Sequence, residues 1–211
     1  VFCYDKDGGA SAVPKETFFN LSEEKKQRIF QAAVQEFSAR SFKIASINQI
    51  IKLAGISRGS FYQYFHDKED IYLYMMSEIG KEKAAVIKQA SMPDDDFFAA
   101  LLHMTESTLQ WAQAAPQYNQ IGMRMISDDS EFIAKLRELS PEIITQLKNM
   151  IKRDQQCSLI RADIKPELVL DVIMALMLHL LKEYYINSDF NMMQQLAKEI
   201  IKIIKHGIAV N

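Results

Sequence analysis

The sequence predicts an all-α protein, and three observations support that class. Apolar residues recur at three- and four-residue spacing along most of the chain, which is the period of an amphipathic helix. A sustained alternation of apolar and polar residues, which would indicate a half-buried strand, does not occur. Gly and Pro are sparse, at 7 and 5 of 211 residues, so few turns interrupt the helical pattern.

Composition is that of a globular protein and excludes several classes. Hydrophobic residues make up 48% and charged residues 25% of the chain, close to average globular usage. The longest apolar run, at 168–181, is about 14 residues long and contains Asp171, so it is too short to span a bilayer. Cys3 and Cys157 are too few and too distant to predict a disulfide framework or a metal site. We therefore expect a cytoplasmic protein with no metal and no cofactor.

The chain begins with a segment that we exclude from the fold. Residues 1–13 show no periodicity and contain a Gly-Gly pair, which predicts a disordered arm or a remnant at the start. The first helix follows at the N-cap Ser22, with two acidic residues in its first turn. Ile29, Ala33 and Phe37 recur every four residues and form the face expected to pack on the next two helices.

Residues 46–64 predict two short helices joined by a tight turn. Ser46 and Gln49 have the spacing of a capping box at the start of the first helix. Gly55 suits the left-handed conformation that ends a helix, and Ser57 suits the N-cap of the next one. This is the helix-turn-helix arrangement, in which the second helix enters the major groove of DNA. An ordinary helical hairpin with a polar outer face is the alternative.

The second helix of this pair carries an outer face without a carboxylate. Phe61 and Phe65 lie four residues apart and face a core, while the remaining side chains offer donors suited to phosphates and base edges. Gly59 allows the helix backbone to approach a sugar-phosphate chain closely. Contacts to base edges or nearby phosphates are predicted for Arg58, Ser60, Tyr62 and Gln63. Contacts to the DNA backbone are predicted for Ser46, Ser57, Gly59, Tyr64 and Lys68.

Residues 32–75 resemble the DNA-binding domain of TetR-type transcriptional repressors. The family pattern is matched by Gly55, Ile56, Ser57, Gly59, Tyr62, Tyr64, Phe65 and Lys68, with Ile71 in the position of its leucine. Family members often have His where this chain has Tyr64. The resemblance implies a homodimer that reads a palindromic operator and a small-molecule effector bound by the remainder of the chain.

A fourth helix capped by Asp67 is predicted to link two domains. The segment 91–96, with the sequence SMPDDD, is the clearest break. We therefore predict a helix-turn-helix domain at 14–68, a linking helix at 67–90, and an effector-binding and dimerisation domain at 91–211. Eight Lys/Arg oppose four Asp/Glu from residue 22 to residue 68, whereas twelve oppose sixteen from residue 91 onward. That asymmetry is typical of a DNA-reading head on a body that avoids DNA.

Beyond the break, further helices are predicted and end at signals such as Pro116. Their apolar and aromatic side chains suit either a packed core or the wall of an effector pocket, because Met adapts to irregular shapes and Trp and Tyr offer a flat ring with a polar edge. An apolar or amphipathic effector fits such a wall. The predicted pocket comprises Phe97, Leu101, Met104, Trp111, Tyr118, Met123, Met125, Leu147 and Met150.

Two final helices, beginning near Lys165 and Asp189, are more apolar than one surface face requires. Two such helices from each of two subunits would form a four-helix interface, and a buried core helix is the alternative. The predicted dimer interface comprises Val172, Leu176, Leu180, Tyr184, Leu196, Ile200 and Ile203.

Catalytic motifs are absent from the sequence. The four histidines are scattered, and there is no HExxH, CxxC, phosphate-binding glycine loop or nucleophile elbow. The prediction is therefore not an enzyme but a ligand-responsive repressor that binds a palindromic operator as a homodimer. The alternative is a helical small-molecule-binding or interaction module without specific DNA binding.

Overall fold

The computed structural model describes residues 2–4, 10–12, 14–90, 96–133, 142–187 and 189–208. These ranges are almost entirely helical, which confirms the all-α class. Within them, one antiparallel hairpin departs from that class: β1 (Phe2–Tyr4) pairs with β2 (Ala10–Ala12). The hairpin lies in the predicted disordered arm. Three-residue strands are too short to produce a detectable alternation, so the sequence did not indicate it.

Ten helices of the described ranges are named here in chain order. The first five are α1 (Glu16–Phe19), α2 (Glu23–Ala39), α3 (Ile47–Ala54), α4 (Arg58–Tyr64) and α5 (Lys68–Ala90). The next five are α6 (Phe97–Ala114), α7 (Pro116–Ser127), α8 (Glu142–Gln156), α9 (Pro166–Asn187) and α10 (Phe190–Ile208). The single-turn helix α1 was not predicted. The helix predicted at 130–139 lies mostly outside the described residues, although 131–133 are helical.

The chain forms two compact units, and neither is continuous in sequence. The first unit comprises Val1–Lys83 and Ala115–Leu136, and the second comprises Ala84–Ala114 and Arg137–Asn211. This division differs from the single boundary predicted near residue 91. The difference arises because α7 packs along α2 and so belongs with the helix-turn-helix.

An aromatic cluster forms part of the core of the first unit. The ring centroid of Tyr72, on α5, lies 4.9 Å from that of Phe37 and 5.3 Å from that of Phe42. Phe132, which follows α7, lies 4.6 Å from Phe42. Edge-to-face and offset aromatic pairs add about 0.5–1.5 kcal/mol each beyond burial of area. The cluster therefore joins α2, α5 and the segment after α7 around the loop that precedes α3.

The second unit is built from α6, α8, α9 and α10 around an apolar core. Phe97, Ile151 and Met193 are each 0% exposed within it. One buried carboxylate accompanies these side chains: Asp154, at 1% exposure, accepts a hydrogen bond from the N–H of Phe97 at 2.7 Å and another from Nε of Arg153 at 2.8 Å. The Asp154 carboxylate thus caps the start of α6. Among the described residues, no helix combines the length and hydropathy needed to cross a membrane.

Candidate nucleic-acid interface

The turn between α3 and α4 has the geometry that its sequence predicts. Gly55 lies at φ 64° and ψ 38°, in the left-handed region, and its N–H donates to carbonyl groups of the last turn of α3. A Cβ atom at Gly55 would meet no atom within 4 Å, so backbone conformation and not space explains the glycine. Ser57 caps α4, because its Oγ accepts a hydrogen bond from the N–H of Ser60 at 3.0 Å.

The start of α3 differs from the predicted capping box. Ser46 occupies the N-cap, but its side chain makes no capping hydrogen bond. Instead, the N–H of Ser46 donates to Oε1 of Glu36 at 2.9 Å, while Nη1 of Arg40 lies 2.6 Å from Oε2 of the same carboxylate. Glu36 is only 1% exposed. A buried acid from α2 therefore fixes the start of α3, and its distance of ten residues along the chain kept it out of the sequence analysis.

The outer face of α4 presents four of the predicted DNA contacts. Arg58, Gly59 and Gln63 are exposed, and 39% of Tyr62 is exposed. A Cβ atom at Gly59 would meet its nearest neighbour at 3.8 Å, an ordinary contact. Space within the protein therefore does not demand glycine here, and close approach of DNA remains the reason we predict for it.

Arg58 is held in place by two neighbours. Its Nη1 donates to Oδ1 of Asn48, on α3, at 3.0 Å. Its guanidinium also lies 5.7 Å from the ring centroid of Tyr62, within the range of a cation–π interaction. The two side chains best suited to base or phosphate contact therefore form one exposed cluster. Ser60, beside them, is half-buried, and its hydroxyl forms a hydrogen bond of 2.9 Å with the hydroxyl of Ser57.

Tyr64 does not face outward, and the prediction that it does is wrong. The residue is 5% exposed, and Nζ of Lys25 donates to its hydroxyl at 3.1 Å. Its ring centroid lies 6.0 Å from that of Phe18. Positions 61, 64 and 65 share one side of a helix at spacings of three and four. The prediction rested on the four-residue pair Phe61 and Phe65 alone, and it therefore placed Tyr64 on the wrong side of α4.

Lys68 contacts the loop that precedes α3. Its Nζ donates to the carbonyl of Lys43 at 3.3 Å and to that of Ala45 at 3.1 Å, and it lies 4.7 Å from the ring centroid of Phe42. Partial burial lowers the pKa of the Lys68 ammonium, although the carboxylate of Asp128 opposes that shift. The observed contacts hold the loop, and the contact with a DNA phosphate stays a prediction.

Residues of α7 and the segment after it hold the same loop. Asp128, at 5% exposure, accepts hydrogen bonds from the N–H of Lys43 at 3.3 Å and the N–H of Ser130 at 2.9 Å. Burial opposes ionisation of this carboxyl group, but the hydrogen bonds outweigh burial and lower the pKa of Asp128. Nε of Arg124 donates to the carbonyl of Ser38, in the last turn of α2 just before the loop, at 2.7 Å. These anchors were not predicted, because no local pattern marks a partner about 85 residues away.

The predicted effector pocket is divided between the two units. The first unit holds Tyr118, Met123 and Met125, and the second holds Phe97, Leu101, Met104, Trp111, Leu147 and Met150. Phe97, Leu101 and Leu147 are 0%, 4% and 6% exposed in the apolar core of the second unit. Met104 and Met150 pack against the same core. These positions favour core filling, and a pocket formed by the whole set stays a prediction.

Tyr118 lines a groove of about 380 Å³ in the first unit. Phe30 and Tyr74 share its wall with charged side chains of α5. The ring centroids of Phe30 and Tyr118 lie 6.3 Å apart. Burial, aided by the carboxylate of Glu82, raises the pKa of the Tyr118 hydroxyl to about 12. The phenol is therefore neutral at physiological pH, and it is hydrogen-bonded to Glu82, which lines the same groove.

The predicted dimer residues lie on α9 and α10 but do not share one environment. The exposed members are Val172 at 45% and Ile203 at 71%. The buried members are Leu180 at 4% and Ile200 at 8%, and Leu176 and Leu196 are partly buried against the same core. The side chain of Tyr184 lies outside the described part. Two further apolar residues of α9 are exposed: Leu168 at 55%, one turn before Val172, and Met174 at 50%.

Within the described ranges, no group of three His, Cys, Asp or Glu side chains is placed to hold a metal ion.

Comparisons with known proteins place these features in context. A profile described as "Bacterial regulatory proteins, tetR family" matches residues 29–75. YdgC of Bacillus subtilis, an uncharacterized HTH-type transcriptional regulator, is 22% identical over 189 residues, which cover 88% of this chain and 93% of that protein. The crystal structure of a TetR family transcriptional regulator from Chloroflexus aurantiacus is 28% identical, with a TM-score of 0.70 over 95% of this chain and 100% of that one. FadR of Bacillus subtilis, solved in complex with stearoyl-CoA, is 17% identical, with a TM-score of 0.71 over 86% of this chain and 98% of that one.

Proposed function

We propose, from the premise that this chain belongs to the TetR family of bacterial transcriptional regulators, that it represses transcription as a homodimer on a palindromic operator. A small apolar or amphipathic molecule would release it from the DNA. Members of the family are regulators of transcription and not enzymes. As a bacterial DNA-binding regulator, the protein would act in the cytoplasm.

The outer face of α4 is the observation that carries the DNA-binding part of this proposal. It is free of carboxylates, and it presents a guanidinium, a phenol and an amide from Arg58, Tyr62 and Gln63. Arg58 is already oriented by Asn48 at 3.0 Å, which reduces the side-chain entropy lost when it binds a guanine edge or a phosphate. The N-cap Ser57 and the left-handed Gly55 fix the orientation of α4 relative to α3.

The exposed apolar side chains of α9 and α10 support the homodimer. Leu168 and Val172, four residues apart on one side of α9, are 55% and 45% exposed, and Ile203 on α10 is 71% exposed. Exposed apolar surface of this kind is typical of interaction sites. A two-fold axis would pair two recognition helices about one duplex turn, roughly 34 Å, apart, as a palindromic operator requires. Leu180 and Ile200 lie in the core instead, so the interface we propose is narrower than the set predicted from sequence.

An effector with a long apolar chain is the ligand class that we propose. FadR of Bacillus subtilis was solved in complex with stearoyl-CoA. The present protein is rich in methionine, which accounts for 11 of its 211 residues. Methionine side chains adapt to flexible apolar ligands at small energetic cost. Residues in the groove lined by Tyr118, and the partly buried Met104 and Met150, are the first positions to test.

Selection of DNA from a random duplex library tests the proposal directly. Wild-type protein should enrich a palindrome, bind it with two protomers per duplex, and lose affinity steeply as salt rises. Sedimentation of the free protein reports the dimer. Enrichment of no sequence, together with salt-independent binding, would contradict the DNA-binding part and favour a helical module that binds small molecules alone.

Mass spectrometry of molecules that co-purify with the protein tests the effector. Stearoyl-CoA serves as the first added probe, and free CoA serves as its control because it lacks the apolar chain. We expect stearoyl-CoA and not CoA to raise the melting temperature and to release the selected palindrome. Equal effects of both compounds would exclude recognition of the apolar acyl chain of stearoyl-CoA.

A further inference from the structure

We propose that the N-terminal segment Lys15–Phe18 positions the recognition helix α4 and thereby helps to determine which bases the protein reads. The inference rests on the proposed function, because it assumes that Tyr62 and Gln63 contact DNA. It concerns residues ahead of the helix-turn-helix and outside the part that the family profile matches, which is 29–75.

Three consecutive carbonyl groups at the end of α4 receive hydrogen bonds from this segment. Nζ of Lys15 donates to the carbonyl of Tyr62 at 2.9 Å. Oγ1 of Thr17 donates to the carbonyl of Gln63. The backbone N–H of Lys15 donates to the carbonyl of Tyr64 at 3.0 Å. Two of these carbonyls belong to the very residues whose side chains are predicted to face DNA.

The length of α4 makes these bonds important. The last four carbonyls of any α-helix lack partners within the helix, and α4 has seven residues in all. The N–H of the C-cap Phe65 donates to the carbonyl of Phe61 at 2.9 Å, so the last three carbonyls, those of residues 62–64, depend on donors outside the helix. Ser57 fixes the beginning of α4, while the segment Lys15–Phe18 fixes its end. A helix of two turns that is held at both ends cannot tilt or unwind its last turn without breaking these bonds.

Phe18 fastens the segment to the core of the first unit. It is 1% exposed. Its ring centroid lies 4.8 Å from that of Tyr74, 5.3 Å from that of Phe65 and 6.0 Å from that of Tyr64. The segment is therefore a packed part of the first unit, and its hydrogen-bond donors lie at a fixed distance from the end of α4.

Two substitutions at Thr17 provide the main test. Thr17→Val keeps the shape of the side chain and removes its hydroxyl donor. We expect it to bind the selected palindrome about three- to tenfold more weakly than wild type. In a repeated library selection it should also show relaxed base preference at the operator positions that Tyr62 and Gln63 control. Thr17→Ser restores the donor and should recover both properties.

A matched control and a stability measurement separate positioning from a general loss of structure. Thr145→Val makes the same change at an exposed site of the second unit and should leave affinity and base preference unaltered. Thermal unfolding of Thr17→Val should stay close to that of wild type. A lower melting temperature with unchanged base preference would overturn the proposal.

Lys15 requires a separate control because an ammonium group can also bind a phosphate directly. If it did, Lys15→Ala would lower the slope of log affinity against log salt by about one. We expect weaker binding and relaxed base preference with the salt slope unchanged. Lys148→Ala, which removes an ammonium paired with Glu167 in the second unit, is the matched control. A reduced slope with wild-type base preference would overturn the positioning role of Lys15.

The failure of this inference is distinguishable from failure of the proposed function. If wild-type protein enriches no palindrome, the proposed function itself fails. If wild type enriches one, and Thr17→Val binds the same sequences with the same affinity, the positioning inference alone is overturned.

Discussion

The two units of the molecule are stabilised in different ways. In the first unit, polar side chains reach backbone atoms far away in sequence: Glu36 binds the N–H of Ser46, and Asp128 binds the N–H of Lys43. A bond of this kind also joins the N–H of Phe97 to Asp154 in the second unit, but the described core of that unit is mainly a packing of apolar helices around residues such as Phe97. Hydrogen bonds are directional, whereas apolar packing is not.

This difference matches the two tasks of a ligand-responsive regulator, which are DNA recognition and effector binding. A reading helix must be held at a defined angle, and directional bonds at both of its ends provide that. A ligand-binding body must accommodate another molecule, and cores that keep their total volume tolerate repacking. The comparison therefore suggests that precision is concentrated in the first unit and adaptability in the second.

Truncation of a core ring should have the largest effect and tests the second unit. Phe97 is 0% exposed, so Phe97→Ala should lower the free energy of unfolding by about 3–5 kcal/mol. Urea denaturation measures the change, and Leu159→Ala, at a residue 47% exposed, is the control. Loss of effector affinity without loss of stability would instead show that Phe97 lines the pocket, and would break the comparison.

Removal of a buried acid tests the directional bonds of the first unit. Glu36→Ala leaves the N–H of Ser46 without its partner and should cost about 2–3 kcal/mol in the free energy of unfolding. Glu24→Ala removes an exposed carboxylate 3.9 Å from Arg28 and should change stability by less than about 0.5 kcal/mol. Equal effects of the two substitutions would show that the buried hydrogen bonds of Glu36 add nothing to the free energy of unfolding.

Tyr62 and Lys68 separate reading of DNA from support of the reading helix. Tyr62→Ala should weaken operator binding about tenfold, a cost of roughly 1.4 kcal/mol, without changing stability, because part of its ring is exposed. Lys68→Ala should weaken binding and also lower stability, since it removes two hydrogen bonds to the loop before α3. Operator titration at fixed salt and urea denaturation measure the two quantities, and sedimentation should show unaltered dimer content.

Acid titration should give the smallest effect. The pKa of Asp128 is lowered in the folded protein, so its contribution to stability is complete above the ordinary carboxyl pKa of about 3.9. That contribution is lost as pH falls through the lowered value. Asp128→Asn should remove this part of the acid dependence, whereas Asp129→Asn, at an exposed residue, should retain it. Identical acid profiles of the two variants would contradict the role of Asp128.

The helix-turn-helix was predictable because its signals are local. Gly55 and Ser57 each act within a few residues, and both have the predicted geometry. The roles of Glu36 and Asp128 as acceptors for backbone N–H groups could not be predicted, because their partners lie 10 and 85 residues away. The positions of Phe97 and Leu101 were ambiguous for another reason: the same residue types line pockets and fill cores.

Each unit is assembled from separate stretches of polypeptide, and this has a practical consequence for engineering. The chain leaves the first unit after Lys83, re-enters it at Ala115 and leaves again after Leu136. A fragment excised at residue 90 would lack Phe132 and would expose Phe42 to water. A chimera that exchanges DNA specificity with a relative therefore has to include residues 115–136 together with the N-terminal stretch. Without them, the transferred DNA-binding unit would be incomplete.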